Sequence, residues 1–257
     1  MTQHILYEFP LNERIRVFMR LEQLFLQLDH FLTGATIWDT RAAIDTLLDI
    51  LTIFSRNDLK SETLKELDRH ANILGQIAHH DNVDRIKVGQ ILEELTMLSK
   101  AIYGHSGKIG QALLENDLFQ SISQRSAIPG GTGSFDLPAY HFWLEQDKAL
   151  QKKNLQQWIQ QFSVIRKGIM LILDFIRQSG VPSQETARAG FFQKSLDSSL
   201  SYQLLRVAVD HSVPCYAEIS GGKHRFSVRF MTPSNGGGGR PVQSPDDIPF
   251  ALTCCLF

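Results

Sequence analysis

The chain has 257 residues, 43% of them hydrophobic, enough to bury a substantial core as one large domain or two modest ones. Its 26 Lys+Arg and 27 Asp+Glu nearly cancel to a formal net charge of −1, which argues against a protein that holds nucleic acid by counterion release. Cys215, Cys254 and Cys255 form no disulfide framework and fit a reducing compartment, no Cys-x-x-Cys pair occurs, and His79-His80 lacks the i, i+4 spacing of helical zinc ligands.

The first residues carry no basic segment followed by an apolar run, so no signal peptide is expected. The longest apolar run of the helical part, 169–173, stops at Asp174, so no membrane span is expected and the chain reads as soluble and cytosolic. Ile5, Tyr7 and Phe9 alternate with Leu6 and Glu8 until Pro10, which predicts a short N-terminal strand at a sheet edge. Asn12 is a good helix N-cap, and Glu13 suits the first turn. Leu21, Leu24, Phe25, Leu28, Phe31 and Leu32 then follow helical spacing, predicting a helix over about 13–32. Its other face carries Arg14, Arg16, Arg20 and Glu22; three arginines near a helix start oppose the macrodipole at a small cost.

Asp39 or Thr40 caps a second helix, whose buried stripe is Ile44, Leu47, Leu48, Leu51 and Phe54. Ser61 starts a third, with Leu64, Leu67, Ala71, Leu74 and Ile77 inside and the mixed-charge run Lys65-Glu66-Leu67-Asp68-Arg69 as its solvated side. A fourth runs over about 83–102 with Ile91, Leu95, Leu98 and Ile102 in register, until Gly104 and Gly107 break it. Two short helical pieces fill 109–125.

Residues 128–138, with two prolines and three glycines, predict an irregular loop that links two domains. Glycine-rich turns can hold anions on backbone N–H groups, so a small-ligand or phosphate-binding enzyme using 129–134 is one functional alternative. The Walker pattern needs Gly-Lys-Ser/Thr at its end and no Lys is present; Gly-x-Gly-x-x-Gly is absent too. The cluster Tyr140-His141-Phe142-Trp143-Leu144 reads as core packing, and His141 has no Ser or Cys nucleophile in a triad-like context. Helices resume over about 149–162 and 164–178, and Gly180-Val181-Pro182 ends the helical region.

Beyond that point, 191–193, 204–209, 216–219, 226–231 and 250–255 read as short strands, with 234–239 as a mobile glycine loop. The fold class predicted is α+β: an α-helical bundle domain over 12–180 and an antiparallel β domain from 1–11 and 190–257. After the Gly221-Gly222 turn signal, Arg225, Ser227 and Arg229 alternate with Phe226, Val228 and Phe230. This face is either a solvated strand surface or a fixed basic strip, extended by Lys223 and His224, that receives an acidic partner. A nucleic-acid site on the same strip is disfavoured by the near-zero net charge.

A set of short segments carries a resemblance over essentially the full length. They are Phe9-Pro10-Leu11-Asn12-Glu13 with Arg20 downstream, Leu64-Lys65-Glu66-Leu67-Asp68-Arg69, Ile109-Gly110-Gln111 and Ile128-Pro129-Gly130-Gly131. Ser134-Phe135-Asp136-Leu137-Pro138, residues 141–144, residues 173–179 and Arg225-Phe226-Ser227-Val228-Arg229-Phe230-Met231 complete the set. In this order they resemble the Z-ring-associated protein D (ZapD) family, cytosolic partners of the bacterial tubulin homologue FtsZ. The resemblance implies a homodimer with a helical and a β domain, which binds the FtsZ C-terminal tail and bundles its filaments during division. It implies no enzyme activity, no cofactor and no metal. It assigns tail binding to Arg20, His141, Arg225 and Arg229, with Lys108, Arg125, Arg177 and Lys223 as neighbours. Two departures from the family pattern are the acidic Leu114-Glu115-Asn116-Asp117 and the glycines at 236–239. The amphipathic helices are the expected dimerisation surface.

Overall fold

The computed structural model describes residues 3–78, 85–234 and 239–256, without the Ile77 side chain. His79-His80, the start of the fourth helix at 83 and the glycines at 236–238 lie outside the described residues. The chain divides into two units, one built from Met1–Arg16 with Leu173–Phe257 and the other from Val17–Ile172. The class is α+β, with antiparallel sheets drawn from the C-terminal region and the N-terminal strand.

In the first unit, β1 (His4–Pro10) is the edge of a sheet ordered β1-β4-β8-β2, in which β2 is Ser183–Ala187, β4 Leu204–Asp210 and β8 Ile248–Cys255. A second sheet is ordered β3-β6-β5, from β3 (Phe191–Ser195), β5 (Tyr216–Gly221) and β6 (Arg225–Thr232); β7 (Val242–Gln243) pairs with the end of β6. All pairs are antiparallel. The alternate residues Leu205, Val207 and Val209 of β4 and Phe226, Val228 and Phe230 of β6 are buried in one apolar cluster with Ile248, Phe250 and Leu252. Phe250 packs edge-on against Phe192 (centroids 5.2 Å apart) and at a tilt against Phe230 (5.3 Å). Strand β2 has no apolar alternation in its sequence, Ser-Gln-Glu-Thr-Ala; it pairs with β8, buries Ala187 in the apolar cluster and joins β3 through Lys194 and Glu185 at 3.0 Å.

The helical unit takes α1 (Glu13–Thr33) from Val17 onward, α2 (Ile37–Arg56), α3 (Leu59–Ile77), α4 (Arg85–Gly104), α5 (Gln111–Leu114), α6 (Asp117–Ser126), α7 (Pro138–Leu144), α8 (Lys148–Gln160) and α9 (Ser163–Gln178) up to Ile172. Leu21, Phe25, Leu28, Ile44, Leu47, Leu51, Leu67, Leu95 and Ile102 are buried there, as their spacing predicts, together with Phe18, Ile165 and Ile169, while Leu24, Phe31, Leu32, Leu48, Phe54, Leu64, Ala71 and Leu74 are half-buried. A Cβ on Gly168 would meet Thr63 and Ile102 at 3.2 and 3.3 Å, so α9 runs close to α3 and α4 at that point. Arg166 of α9 forms a bidentate pair with Asp29 of α1, one arm at 2.9 Å.

Four local expectations need correction. Helix α2 is capped by Thr36, not by Asp39 or Thr40: the Thr36 hydroxyl accepts the Asp39 N–H while the Asp39 carboxylate accepts the Thr36 N–H, a capping box. Helix α3 is capped by Asp58, whose carboxylate accepts the Ser61 N–H. Its mixed-charge run is not wholly solvated, because Glu66 is 1% exposed and receives Arg69. The loop at 128–138 lies inside the helical unit and does not link two domains.

Candidate functional site: a basic strand face

Burial fixes the orientation of β6. Phe226, Val228 and Phe230 are at most 1% exposed, so a one-residue register slip would drive Arg225 and Arg229 into the apolar cluster. Both arginines are therefore held on the outer face, where they are exposed. Four residues of strand separate their stems by about 13 Å. Strand β3 sets Ser195 opposite Arg225, Gln193 opposite Ser227 and the exposed Phe191 opposite Arg229. From β5, Ser220 faces Ser227 and Glu218 faces Arg229. Among the described residues, neither Arg225 nor Arg229 forms a salt bridge.

At the turn end of the strip the hairpin closes with the Gly222 N–H donating to the Arg225 carbonyl at 3.0 Å. This leaves Lys223 and His224 exposed at the apex. An open groove of about 540 Å³ lies there, lined by Gln193, Ser220, Lys223, His224, Arg225 and Ser227 among others. Three basic side chains and two hydroxyls on a hydrogen-bonded hairpin suit a carboxylate-bearing chain.

Arg177, in the same unit, is differently employed. Its Nε and Nη2 donate to the Glu8 carboxylate at 3.0 and 2.9 Å, and Arg206 Nε donates to the same carboxylate at 3.0 Å. All three side chains are largely covered, at 19%, 16% and 28% exposure in the order Arg177, Glu8, Arg206. One carboxylate between two guanidiniums ties α9 to β1 and β4. No local pattern marks Arg206 and Glu8 as the companions of Arg177, which lies 169 residues from Glu8 along the chain.

The helical unit carries the other four named residues on separate elements. Arg20 is exposed on α1, and His141 is exposed on α7 beside Phe142, which is 69% exposed and departs from the core packing expected of the aromatic cluster. Tyr140 and Leu144 of that helix are buried, and Tyr140 stacks with Trp143. Arg125, at the end of α6, pairs with Asp136 at 3.3 Å and so braces the glycine loop. Lys108 is exposed before α5, on a groove of about 300 Å³ that also exposes Arg56, Asn57 and Asp58.

Four amides of the glycine loop are bonded within it. The N–H groups of Gly131, Gly133, Asp136 and Leu137 donate to the carbonyls of Ile128, Gly130, Gly133 and Gly133, and Arg41 holds the Thr132 carbonyl and hydroxyl at 3.2 Å. Gly130 has φ +72°, a left-handed turn that glycine adopts at no steric cost. The acidic stretch 114–117 has a local use: Asn116 accepts the Leu118 and Phe119 N–H groups as the cap of α6, and Asp117 fills its first turn. Among the described residues there is no group of three His, Cys, Asp or Glu side chains that could hold a metal ion, and no helix is long and apolar enough to cross a membrane.

Comparison with known proteins places these residues in a family context. A family model described as ZapD, cell division protein, matches residues 19–229, which include β6 as far as Arg229. The cell division protein ZapD of Methylococcus capsulatus is 51% identical over 257 residues, all of both chains. That of Azoarcus sp. is 39% identical over 253 residues, 98% of this chain and all of the relative, and that of Nitrosomonas europaea is 37% identical over 251 residues, 98% of this chain and 95% of the relative.

Proposed function

The chain belongs to the ZapD family of cell division proteins, and from that premise we propose that it is a Z-ring adaptor that binds the C-terminal tail of FtsZ and cross-links FtsZ filaments. The observation that carries this reading is the outer face of β6, where Arg225 and Arg229 are exposed and, among the described residues, unpaired. Arginines take tail carboxylates in forked hydrogen bonds, while exposed Phe191 beside Arg229 supplies an apolar contact. Lys223 extends the strip at the hairpin apex. Arg20 and His141 are tail-contacting positions of the helical unit on the strength of the resemblance, with Lys108 and Arg125 as their basic neighbours. Arg177 serves the fold through Glu8.

A single exposed charge contact is weak and salt-sensitive. A homodimer associating through its helices carries the strip twice, and two sites on a multivalent filament convert weak binding into bundling through effective concentration. The protein then collects at mid-cell, in the cytoplasm, because FtsZ is there. No catalytic step is required. The phosphate-enzyme alternative loses two anion-binding amides of 129–134, because the Gly131 and Gly133 N–H groups are bonded within the loop.

Charge reversal tests the strip. Arg225→Glu with Arg229→Glu leaves a folded protein, because both side chains project from the outer face, and abolishes FtsZ bundling measured by light scattering. Bundling at the wild-type level in low salt by a folded double variant would remove the strip from the mechanism.

A further inference from the structure

The basic strip is electrostatically uneven along its length. At the turn end, Arg225 faces Ser195 of β3 and continues into Lys223 and His224, and among the described residues that line the groove there is no carboxylate. At the far end, Arg229 is directly opposite Glu218 of β5, and both are exposed. Directly opposed residues on one sheet face have Cβ atoms about 5 Å apart, so Glu218 lies within reach of whatever Arg229 holds. Among the described residues the two do not form a salt bridge, so Arg229 is left available while a negative charge stands beside it.

We infer that Glu218 sets the specificity of the strip: it competes with an incoming carboxylate for Arg229 and concentrates anion binding on the 223–225 end. This rests on the reading of β6 as the tail site. A carboxylate docking at Arg229 meets like-charge repulsion from Glu218, whereas one docking in the groove meets Lys223, Arg225 and His224 beside the uncharged Gln193, Ser220 and Ser227. An acidic peptide therefore seats in one direction, its most acidic part at the hairpin apex. Polyanions of uniform charge are penalised at the Glu218 end, a repulsive element that adds to the attractive ones. The hairpin turns at Lys223-His224, two residues beyond the Gly221-Gly222 signal, and this shift is what sets Glu218 opposite Arg229; a turn centred on the glycines would have set it opposite Arg225.

The test uses the full chain and a fluorescently labelled synthetic peptide of the FtsZ C-terminal tail, read by anisotropy at low and moderate salt. Glu218→Gln is expected to tighten binding by about two- to fivefold at low salt, with the gain shrinking as salt screens the pair. The gain is expected to vanish in the Glu218→Gln, Arg229→Gln double variant, and Arg225→Gln is expected to cost more affinity than Arg229→Gln. Circular dichroism checks that each variant is folded, and Glu218→Ala repeats the measurement if the Gln variant is not. Unchanged or weaker binding by a folded Glu218 variant, a gain that persists without Arg229, or a larger cost at Arg229 than at Arg225 overturns the inference. Absence of peptide binding by the wild-type chain is a separate result, which overturns the tail-binding reading itself.

Discussion

Glu66 and His70 lie one turn apart on α3, 1% and 2% exposed, with His70 Nδ1 at 2.7 Å from the Glu66 carbonyl oxygen. Burial pushes the His70 imidazole below its usual value; neighbouring Arg69 pushes the same way, and the Glu66 contacts oppose them. A base whose folded pKa is depressed stays neutral in the native state while the unfolded chain takes up a proton below about pH 6.5. The unfolded state then binds more protons, so stability is lost as pH falls from about 6.5 toward the folded value, by up to about 1.4 kcal/mol per pH unit. Urea unfolding of wild type and His70→Gln between pH 7.5 and 5.5 isolates this group from the other histidines. The wild type is expected to lose stability more steeply, and equal slopes would contradict the assignment. On the β unit, single residues divide by what covers them: Arg225 and Arg229 face solvent and Arg177 is committed to Glu8. Alternation in β6 disclosed the first two. The partner of Arg177 was not legible, because only pairing of β1 with β4 and the approach of α9 bring Glu8, Arg206 and Arg177 together.

At the scale of elements, the long helices and β4, β6 and β8 follow from their hydrophobic period, because a buried face forces the pattern into the sequence. Strand β2 was invisible for the same reason turned round. As an edge strand with Ser183, Gln184 and Thr186 exposed, it needs no apolar alternation, and its order comes from backbone bonds to β8 more than 60 residues away. Helix α7 was hidden in an aromatic cluster, where Pro138 at its first turn is the local start signal. The cap of α2 was misplaced because Asp39 does take part in capping, as the third residue of the box and not as the cap itself. Thr36→Ala removes the acceptor for the Asp39 N–H and is expected to cost about 1 kcal/mol in urea unfolding, with Thr36→Ser close to wild type. A Thr36→Ala variant as stable as wild type would show that tertiary packing alone fixes the start of α2.

For the whole molecule, near-neutral overall charge and a local basic strip are compatible because the cations are concentrated by topology: one hairpin gathers Lys223, His224, Arg225 and Arg229 on or beside one face. Composition excluded broad polyanion binding but said nothing of where charge would collect. The α+β class was legible from the change in periodicity near residue 180, whereas the named basic residues of the helical unit could be listed only by resemblance and stand on separate elements. Tail recognition, as proposed, is tested by co-sedimentation with FtsZ filaments, intact and lacking the C-terminal tail. The protein is expected to pellet and bundle with intact filaments and to stay in the supernatant with tail-less ones; equal pelleting with both would remove the tail from the mechanism.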